Sequence, residues 1–598
     1  MSSLNLSQLS REHILRLNEI SCEIKNEYHD LIAKIYRDTD KSLDWLVSST
    51  LSRNNYLTSS FLNICYLKLA AEVVDLDAAC EMVSVPSRAL KQVLDDYFSR
   101  RSPAVRVVWT RAKTGLKNRL KERFRALFDW YSGATTFAVM WLARDRGRKA
   151  AVPTERPITL IDTFFLPTIL EDGVFHDRYY PGLLDCLTPE EQKDIYFNPS
   201  VLIYRSVREA YKIAECAREK FIYRNDFLLF RDYIHALMRP LRMKRIDFGE
   251  YTMAGFNVGP LLEADFRDNL CNMSCLFGIL NYLFFKRLSQ EGVKLRFAVN
   301  WFENQVIDRG WNKGLKTFFP ATQSVGYQGF INSVDYNFYI MPTEAESKQG
   351  VVPDEVAVVG PGLVEDARSF DATIEVRTAP AFRFQNVWSS FEPNPPAQQM
   401  VVLVALPIDF VESLEIVDLL VEVTKLCTLA DVRFHLKPHP SLDMNRVCQE
   451  RQDKWPATFE VVGGDFKTCL QVASVLVSNS SSVCLETLCF GIPVIIAGSQ
   501  SGLTQNPIPK SVSAEIWRIA YTETEMLDAI RHFGEFRTLD PSPFRMVGRK
   551  MRDEFFQQVT RESVLEFLEL PEKRPRPVIE VMPGTQSVPN PQGLQRQG

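Results

Sequence analysis

The feature that most constrains this chain is Met400–Leu406, MVVLVAL, an unbroken apolar run rich in β-branched residues. A run so short, with no polar alternation, suits a strand buried on both faces of a parallel sheet. The sequence after it keeps that grammar. A helical stretch covers Val411–Leu429, and a strand over Val432–Leu436 runs into Lys437-Pro438-His439-Pro440. Further strands are expected at Phe459–Val462, ending in Gly463-Gly464, and at Ser474–Val477, running into Ser478-Asn479-Ser480-Ser481-Ser482. A short helix, Val483–Phe490, closes at Gly491, and Ile492–Ala497 reads as a fifth strand. Strand and helix alternate, which predicts a doubly wound α/β unit. Pro543–Leu568 reads as a closing helical stretch.

The first half carries the same pattern diluted with helices. Leu43–Ser48, Ile158–Phe165, Leu295–Val299 and Glu355–Val359 read as strands, and Leu262–Arg287 as one long helix. The last of these strands leads into Gly360-Pro361-Gly362, near which a hinge is expected. The expected division is an α/β domain with helical insertions over 1–345, a second α/β domain over 346–570, and a Pro-rich disordered tail over 571–598. Within the second domain, 371–399 reads as an irregular linker. Two such domains facing each other place ligands outside the carboxyl ends of their strands.

Composition removes several classes. At 598 residues, 45% apolar and 24% charged, the chain is neither disordered throughout nor a disulfide scaffold. A net charge of −4 gives no global sign of nucleic-acid binding, so no nucleic-acid partner is expected. Twelve scattered cysteines without a C-x-x-C pair point to a reducing, cytoplasmic setting. Met1–Ile20 lacks a basic start followed by an apolar run, so no signal peptide is expected. Leu270–Phe285 is too short and too rich in Asn and Ser to span a bilayer and reads as a core helix.

Three short segments carry chemistry. The Ser480, Ser481 and Ser482 hydroxyls, between a buried strand and a helix, suit either phosphate binding or N-capping by Ser482. Glu486 lies one helical turn further on, placed either to accept from ribose hydroxyls or to face solvent. Lys437 and His439 end another strand, and Pro438 and Pro440 restrict the backbone around the imidazole. That arrangement points both side chains at a phosphate, the alternative being a structural His in a turn. His435 and His439 are about 13 Å apart on an extended strand, too far for one metal ion. No other ligand cluster is visible, so neither a metal nor a cofactor is expected. In the third segment, Glu171-Asp172-Gly173, adjacent carboxylates raise each other's pKa, which suits a general base, while an acidic surface turn accounts for the same residues. Glu303, after another expected strand, is the second choice for the base. Asp162 lies inside a strand and reads as structural. Arg53 and Asn54 follow the first expected strand and are candidates for contacts to an acceptor or a sugar carboxylate.

The order EDG, KPHP and SNSSSVCLETLCFGIPVI resembles GT-B glycosyltransferases of bacterial surface polysaccharides, nearest those using CMP-activated acidic sugars of the sialic-acid and Kdo type. Asp44–Leu67 and Trp301–Leu315 resemble blocks of surface-carbohydrate biosynthesis proteins. The resemblance implies two Rossmann-like domains around a cleft. It also implies Glu171 or Asp172 as catalytic base, His439-Pro440 on the CMP part of the donor and assisting its departure, and Ser480-Ser481-Ser482 on the donor phosphate. The implied partners are a CMP-activated sugar donor and a glycan or lipid-linked acceptor. Two other readings stay open: a CDP-glycerol-type polyol-phosphate transferase, and a catalytically idle scaffold of a polysaccharide assembly complex. Finally, Arg100–Arg125 carries ten basic residues and one acidic residue, with Trp109 and Phe124 among them. It reads as a basic amphipathic helix able to lie on anionic lipid, which places the protein peripherally on the inner face of the cytoplasmic membrane.

Overall fold

The computed structural model describes residues 2–39, 41–55, 57–77, 79–110, 124–166, 169–170, 173–201, 206–243, 246–249, 251–332, 341–393, 399–426, 432–451, 455–500 and 502–570. Glu171, Asp172 and the tail 571–598 therefore lie outside the described residues. The chain opens with a small parallel sheet of β1 (Ser2–Asn5), β2 (Cys80–Val85) and β3 (Arg106–Trp109). Next come β4 (Ile158–Phe164), β5 (Ile195–Val201), an antiparallel hairpin of β6 (Thr252–Met253) and β7 (Phe256–Asn257), then β8 (Leu295–Trp301), β9 (Gln323–Gln328), β10 (Glu355–Val358) and β11 (Glu375–Thr378). Apart from the hairpin these form one parallel sheet in the order β11-β10-β9-β8-β4-β5. A second six-stranded parallel sheet has the order β14-β13-β12-β15-β16-β17. Its strands are β12 (Met400–Leu406), β13 (Val432–Pro438), β14 (Phe459–Val461), β15 (Val475–Ser478), β16 (Val494–Ala497) and β17 (Trp517–Ala520).

The two large sheets are Rossmann-like in different ways. Counted along the chain, the later sheet runs 3-2-1-4-5-6 and the earlier one 2-1-3-4-5-6. Each order reverses once, between β12 and β15 in the later sheet and between β4 and β8 in the earlier. In open α/β sheets ligands bind at such reversals, outside the carboxyl ends of the strands. The fold is thus α/β, with two doubly wound units and extra helices in the first, the GT-B-like arrangement expected.

Several boundaries differ from the sequence reading. β10 and β11 pair with β9, so the chain changes sheets after Thr378 rather than at residue 345. Part of the expected linker is therefore a strand, and Phe382–Trp388 forms a short 3-10 helix with Phe382, Phe384 and Val387 buried. Leu43–Leu46 is a helical turn, not a strand. Trp45, Leu46 and Val47 are all buried, so the run shows no polar face by which periodicity separates the two. The long helix of the first half is two, Gly259–Asp268 and Met273–Gln290, and the break is set by Asn272, whose side chain accepts from Ser274 N at 2.9 Å. The second of these is a core helix with Leu276–Leu280 buried throughout. No helix among the described residues is long and apolar enough to cross a membrane.

The closing stretch is also two helices, Ser542–Phe555 and Arg561–Phe567. They carry the chain back to the first large sheet. Arg296 and Arg377 donate to the carbonyls of Leu568 and Phe567 at 3.1 and 3.0 Å, and the Phe567 ring lies 5.2 Å from Tyr327. Gly360 allows this return: a Cβ there would meet the Phe555 carbonyl carbon at 2.2 Å. Gly491 ends the Val483–Cys489 helix with φ +69, as its place in the sequence requires.

Candidate active site

In the second unit the candidate residues gather at the β12–β15 reversal. His439 leaves the end of β13, and its N–H donates to the Leu406 carbonyl at the end of β12. Ser441 N donates to His439 Nδ1 at 3.1 Å. That bond fixes the neutral tautomer with the proton on Nε2, leaving Nε2–H as the outward donor. Burial, then Arg178 and Arg383, holds the imidazole below its ordinary pKa, so it is neutral at pH 7. Pro440 is exposed beside it. Lys437 Nζ donates to the Gly464 carbonyl at 2.6 Å and so ties the turn after β14 to β13.

The serine loop is arranged differently from a simple cap. Ser482 is already helical at φ −63 and ψ −14 and makes no capping bond. The local acceptor is Ser481 Oγ, which takes the Val483 N–H at 3.4 Å. Ser480 and Asn479 are turned to Glu412, at 3.2 and 2.9 Å, on the helix that follows β12. Burial, with Asp409 and Glu415 nearby, pushes Glu412 up to about 7. Glu486, one turn into the Val483–Cys489 helix, is pushed up to about 7 by burial and Asp465, against the opposing pull of Arg383 and Lys467. That helix has only seven residues, so its dipole adds little to any attraction for an anion.

The first unit presents its own reversal to the same cleft. Between β4 and β8 lies a cavity of about 270 Å³, walled by Phe164, Phe277, Trp301, Glu303 and Asp308 among others. Glu303 accepts from Trp301 Nε1 at 2.8 Å and from Gln305 Nε2 at 2.6 Å. Asp308 accepts the Glu303 and Gln305 amides at 3.0 and 2.9 Å and so folds the loop that carries Glu303. Burial, Asp162 and Glu303 together hold Asp308 far above the usual carboxylate range. Asp162 accepts from Asn300 at 2.8 Å, and burial pushes it up to about 7. It is buried inside β4, where the sequence places it.

The two reversals meet through residues that no motif flagged. Arg383, on the segment linking the sheets, stands over the Trp301 ring at 5.6 Å and the Tyr179 ring at 6.0 Å. Its charge acts on His439 and on Glu486, and that of Arg178 also acts on His439. Both arginines are exposed. Lone arginines in loops carry no spacing signal, so the sequence could not single them out.

Arg53 and Asn54 do not offer the expected acceptor contacts on an open surface, although their ion-pair group reaches Asn304, next to Glu303. Both are buried, and Arg53 holds φ +56. Arg53 pairs with Glu346 at 2.6 Å and meets His29 Nδ1 at 2.6 Å, while Arg309 takes the other Glu346 oxygen at 2.8 Å. Burial pushes Glu346 up, but Arg53 and Arg309 outweigh it and hold the carboxylate below its ordinary range. The group is a buried brace that a linear reading of a polar loop does not separate from a binding site. Arg100–Arg125 is likewise not one amphipathic helix. A helix ends at Arg101, β3 follows over Arg106–Trp109, and 111–123 lies outside the described residues.

No family model matches the sequence, and no curated protein matches it. Among solved structures the chain is similar to the S. aureus MnaA–UDP co-structure, at 10% identity and TM-score 0.40, over 70% of this chain and 99% of that one. It is similar to the apo lipopolysaccharide outer core galactosyltransferase WaaB, at 10% identity and TM-score 0.38, over 68% and 98%. It is also similar to a UDP-N-acetylglucosamine 2-epimerase, at 9% identity and TM-score 0.40, over 70% and 98%. The strand orders above rest on the chain's own hydrogen bonding.

Proposed function

We propose that this chain is a glycosyltransferase that moves an acidic sugar from a CMP-activated donor to a glycan acceptor, free or lipid-linked. The observation that carries the reading is the meeting of the two reversals: a neutral His439 beside Arg178 and Arg383 on one side, and Glu303 behind Trp301 on the other. The donor nucleotide lies on the second unit, against His439-Pro440, Ser481, Ser482 and Glu486. Arg178 and Arg383 answer its phosphate and the sugar carboxylate, a pairing suited to guanidinium groups. Their presence beside His439 is what favours an acidic sugar.

Chemistry then follows from the protonation states. The anomeric C–O bond to phosphate breaks, and His439 Nε2–H and the arginines stabilise the charge left on CMP. The acceptor oxygen bonds to the anomeric carbon and loses its proton to a carboxylate of the first unit. Glu303 is our choice among the described residues, with Glu171 or Asp172 as the other candidates. Asp308 positions Glu303 by accepting the Glu303 and Gln305 amides.

The test is a thermal-shift series with CMP, CDP, UDP, GDP and ADP on the wild type and His439→Ala, followed by transfer assays with CMP-linked acidic sugars. A ligand that binds only the folded form raises Tm. Stabilisation by CMP that His439→Ala removes supports the reading. Preference for UDP or GDP overturns the donor, and no shift with any nucleotide overturns the donor site and favours the scaffold.

A further inference from the structure

The helix Arg125–Leu142 is apolar on both sides. Its inner face buries Gly133, Phe137 and Met140, and Trp130 Nε1 donates to the Leu237 carbonyl at 3.1 Å. Its outer face repeats at helical spacing through Phe124, Leu127, Phe128, Tyr131, Val139 and Leu142, all exposed, with Leu127 at 63% and Tyr131 at 65%. A surface helix keeps a polar outer face, whereas here the polar residues Arg125, Asp129, Ser132 and Thr136 are confined to one flank and Thr135 alone interrupts the outer apolar stripe. The adjoining segment repeats the anomaly. Phe230, Ile234, Met238 and Leu241 point outward from the helices Phe230–Leu237 and Arg239–Arg242, with Leu241 at 77% exposure. The two segments are packed together, with the Trp141 ring 5.4 Å from Phe230, so their outer faces form one apolar surface. Such contiguous surfaces mark a site of association.

The rim is basic. Arg125 lies at one end of the helix, and Arg144, Arg146, Arg208 and, next to Phe230, Arg231 gather near the Leu142 end, where Arg208 donates to the Leu142 carbonyl. The acids sharing it are Asp129, 3.8 Å from Arg125, Asp265 and Asp268, which line a pocket with Arg125, Asp145, which accepts the Gly147 and Arg148 amides, and Glu209. A second copy docked here would bring two arginine rims together. An anionic lipid surface has complementary charge and an apolar interior for the aromatic and aliphatic side chains.

We infer that this face, Arg125–Leu142 with Phe230–Leu241, lies on an anionic membrane. Its inner side reaches the first-unit cavity in one step: Phe137 packs 5.9 Å from Phe277, which walls the pocket that holds Glu303. The inference stands on exposure and charge and does not depend on the transferase reading.

The test is co-sedimentation of the full chain with phosphatidylcholine–phosphatidylglycerol vesicles, against phosphatidylcholine alone, at low and high salt. The wild type partitions onto the anionic vesicles, more weakly at high salt. Leu127→Asp/Tyr131→Asp and, separately, Leu241→Asp each lower that partitioning about tenfold or more. Met546→Asp, at an exposed apolar residue of another helix, leaves it unchanged. All the changed side chains are exposed, and an unaltered melting curve for each variant confirms folding. No vesicle binding by the wild type, equal binding to both lipid compositions, or full binding by the double variant overturns the inference. So does a dimer in light scattering that the same substitutions dissociate without any vesicle binding.

Discussion

The two sheet reversals have the same topological role and opposite chemistry. At β4–β8 the sequence concentrates carboxylates, Asp162, Glu303 and Asp308, and burial pushes Asp162 up to about 7 and holds Asp308 well above the usual carboxylate range. At β12–β15 it concentrates donors, the His439 imidazole, three serine hydroxyls and, from across the cleft, Arg178 and Arg383. Here one carboxylate, Glu412, is set against the serine loop and occupies Ser480. A crevice position does not dictate function by itself. The side chains at each reversal differ: carboxylates gather at one, and imidazole, hydroxyl and guanidinium donors at the other.

The largest expected effect tests that division. Glu303→Gln removes the proton acceptor and lowers kcat by about 10²–10⁴-fold, while CMP affinity and Tm stay unchanged. Steady-state kinetics beside thermal shift check it. A loss of CMP affinity in that variant would break the comparison, because it would put the donor in the first crevice. Arg53→Ala is the contrasting structural change. It leaves Glu346 with one arginine in a buried site and costs about 3–5 kcal/mol of stability, read by chemical denaturation. CMP affinity of the folded fraction stays constant, which separates the brace from the cleft.

Arg383→Ala comes next. Loss of a charged partner of the donor weakens CMP binding by about 10–100-fold. It also removes a cation beside His439, so the imidazole pKa rises, which an NMR titration of the ring protons reads. Glu412→Gln has a smaller effect. It removes a carboxylate from the serine loop and tightens CMP binding a few-fold, by less than about 1 kcal/mol.

A separate effect is on pH dependence. Glu412 and Glu486 carry folded-state pKa values pushed up to about 7 from an ordinary 4.5. The folded chain therefore holds protons that the unfolded chain has released between those values. Stability falls as pH rises from 4.5 to about 7 and does not recover above it. Replacing Glu486 by Gln flattens that fall by about 2 kcal/mol, measured by urea denaturation at pH 5 and pH 7.5.

Much of the second unit was legible. Strands such as β12 and β15 are continuous apolar runs because helices cover both faces, and the chemistry follows each run directly in sequence. The first unit was harder. Trp45, Leu46 and Val47 look like a strand because all three are buried, and only the packing around them shows a helical turn. Arg53 looked like a ligand-binding arginine for a related reason. Its partner Glu346 lies 293 residues away and is not visible from the local sequence.

By itself the sequence determined the α/β grammar, the second sheet and the positions of His439 and the serine loop, since each depends on residues close together in the chain. The tertiary structure decided three other things. It moved the change of sheets to after Thr378, because β10 and β11 pair with β9. It placed Arg178 and Arg383 beside His439, an encounter set by how the two units face each other. It also left Leu127, Tyr131 and Leu241 outside the core, which hydropathy alone would have buried. In each case the deciding interaction joins residues distant in sequence, and its energy depends on which surface each side chain meets.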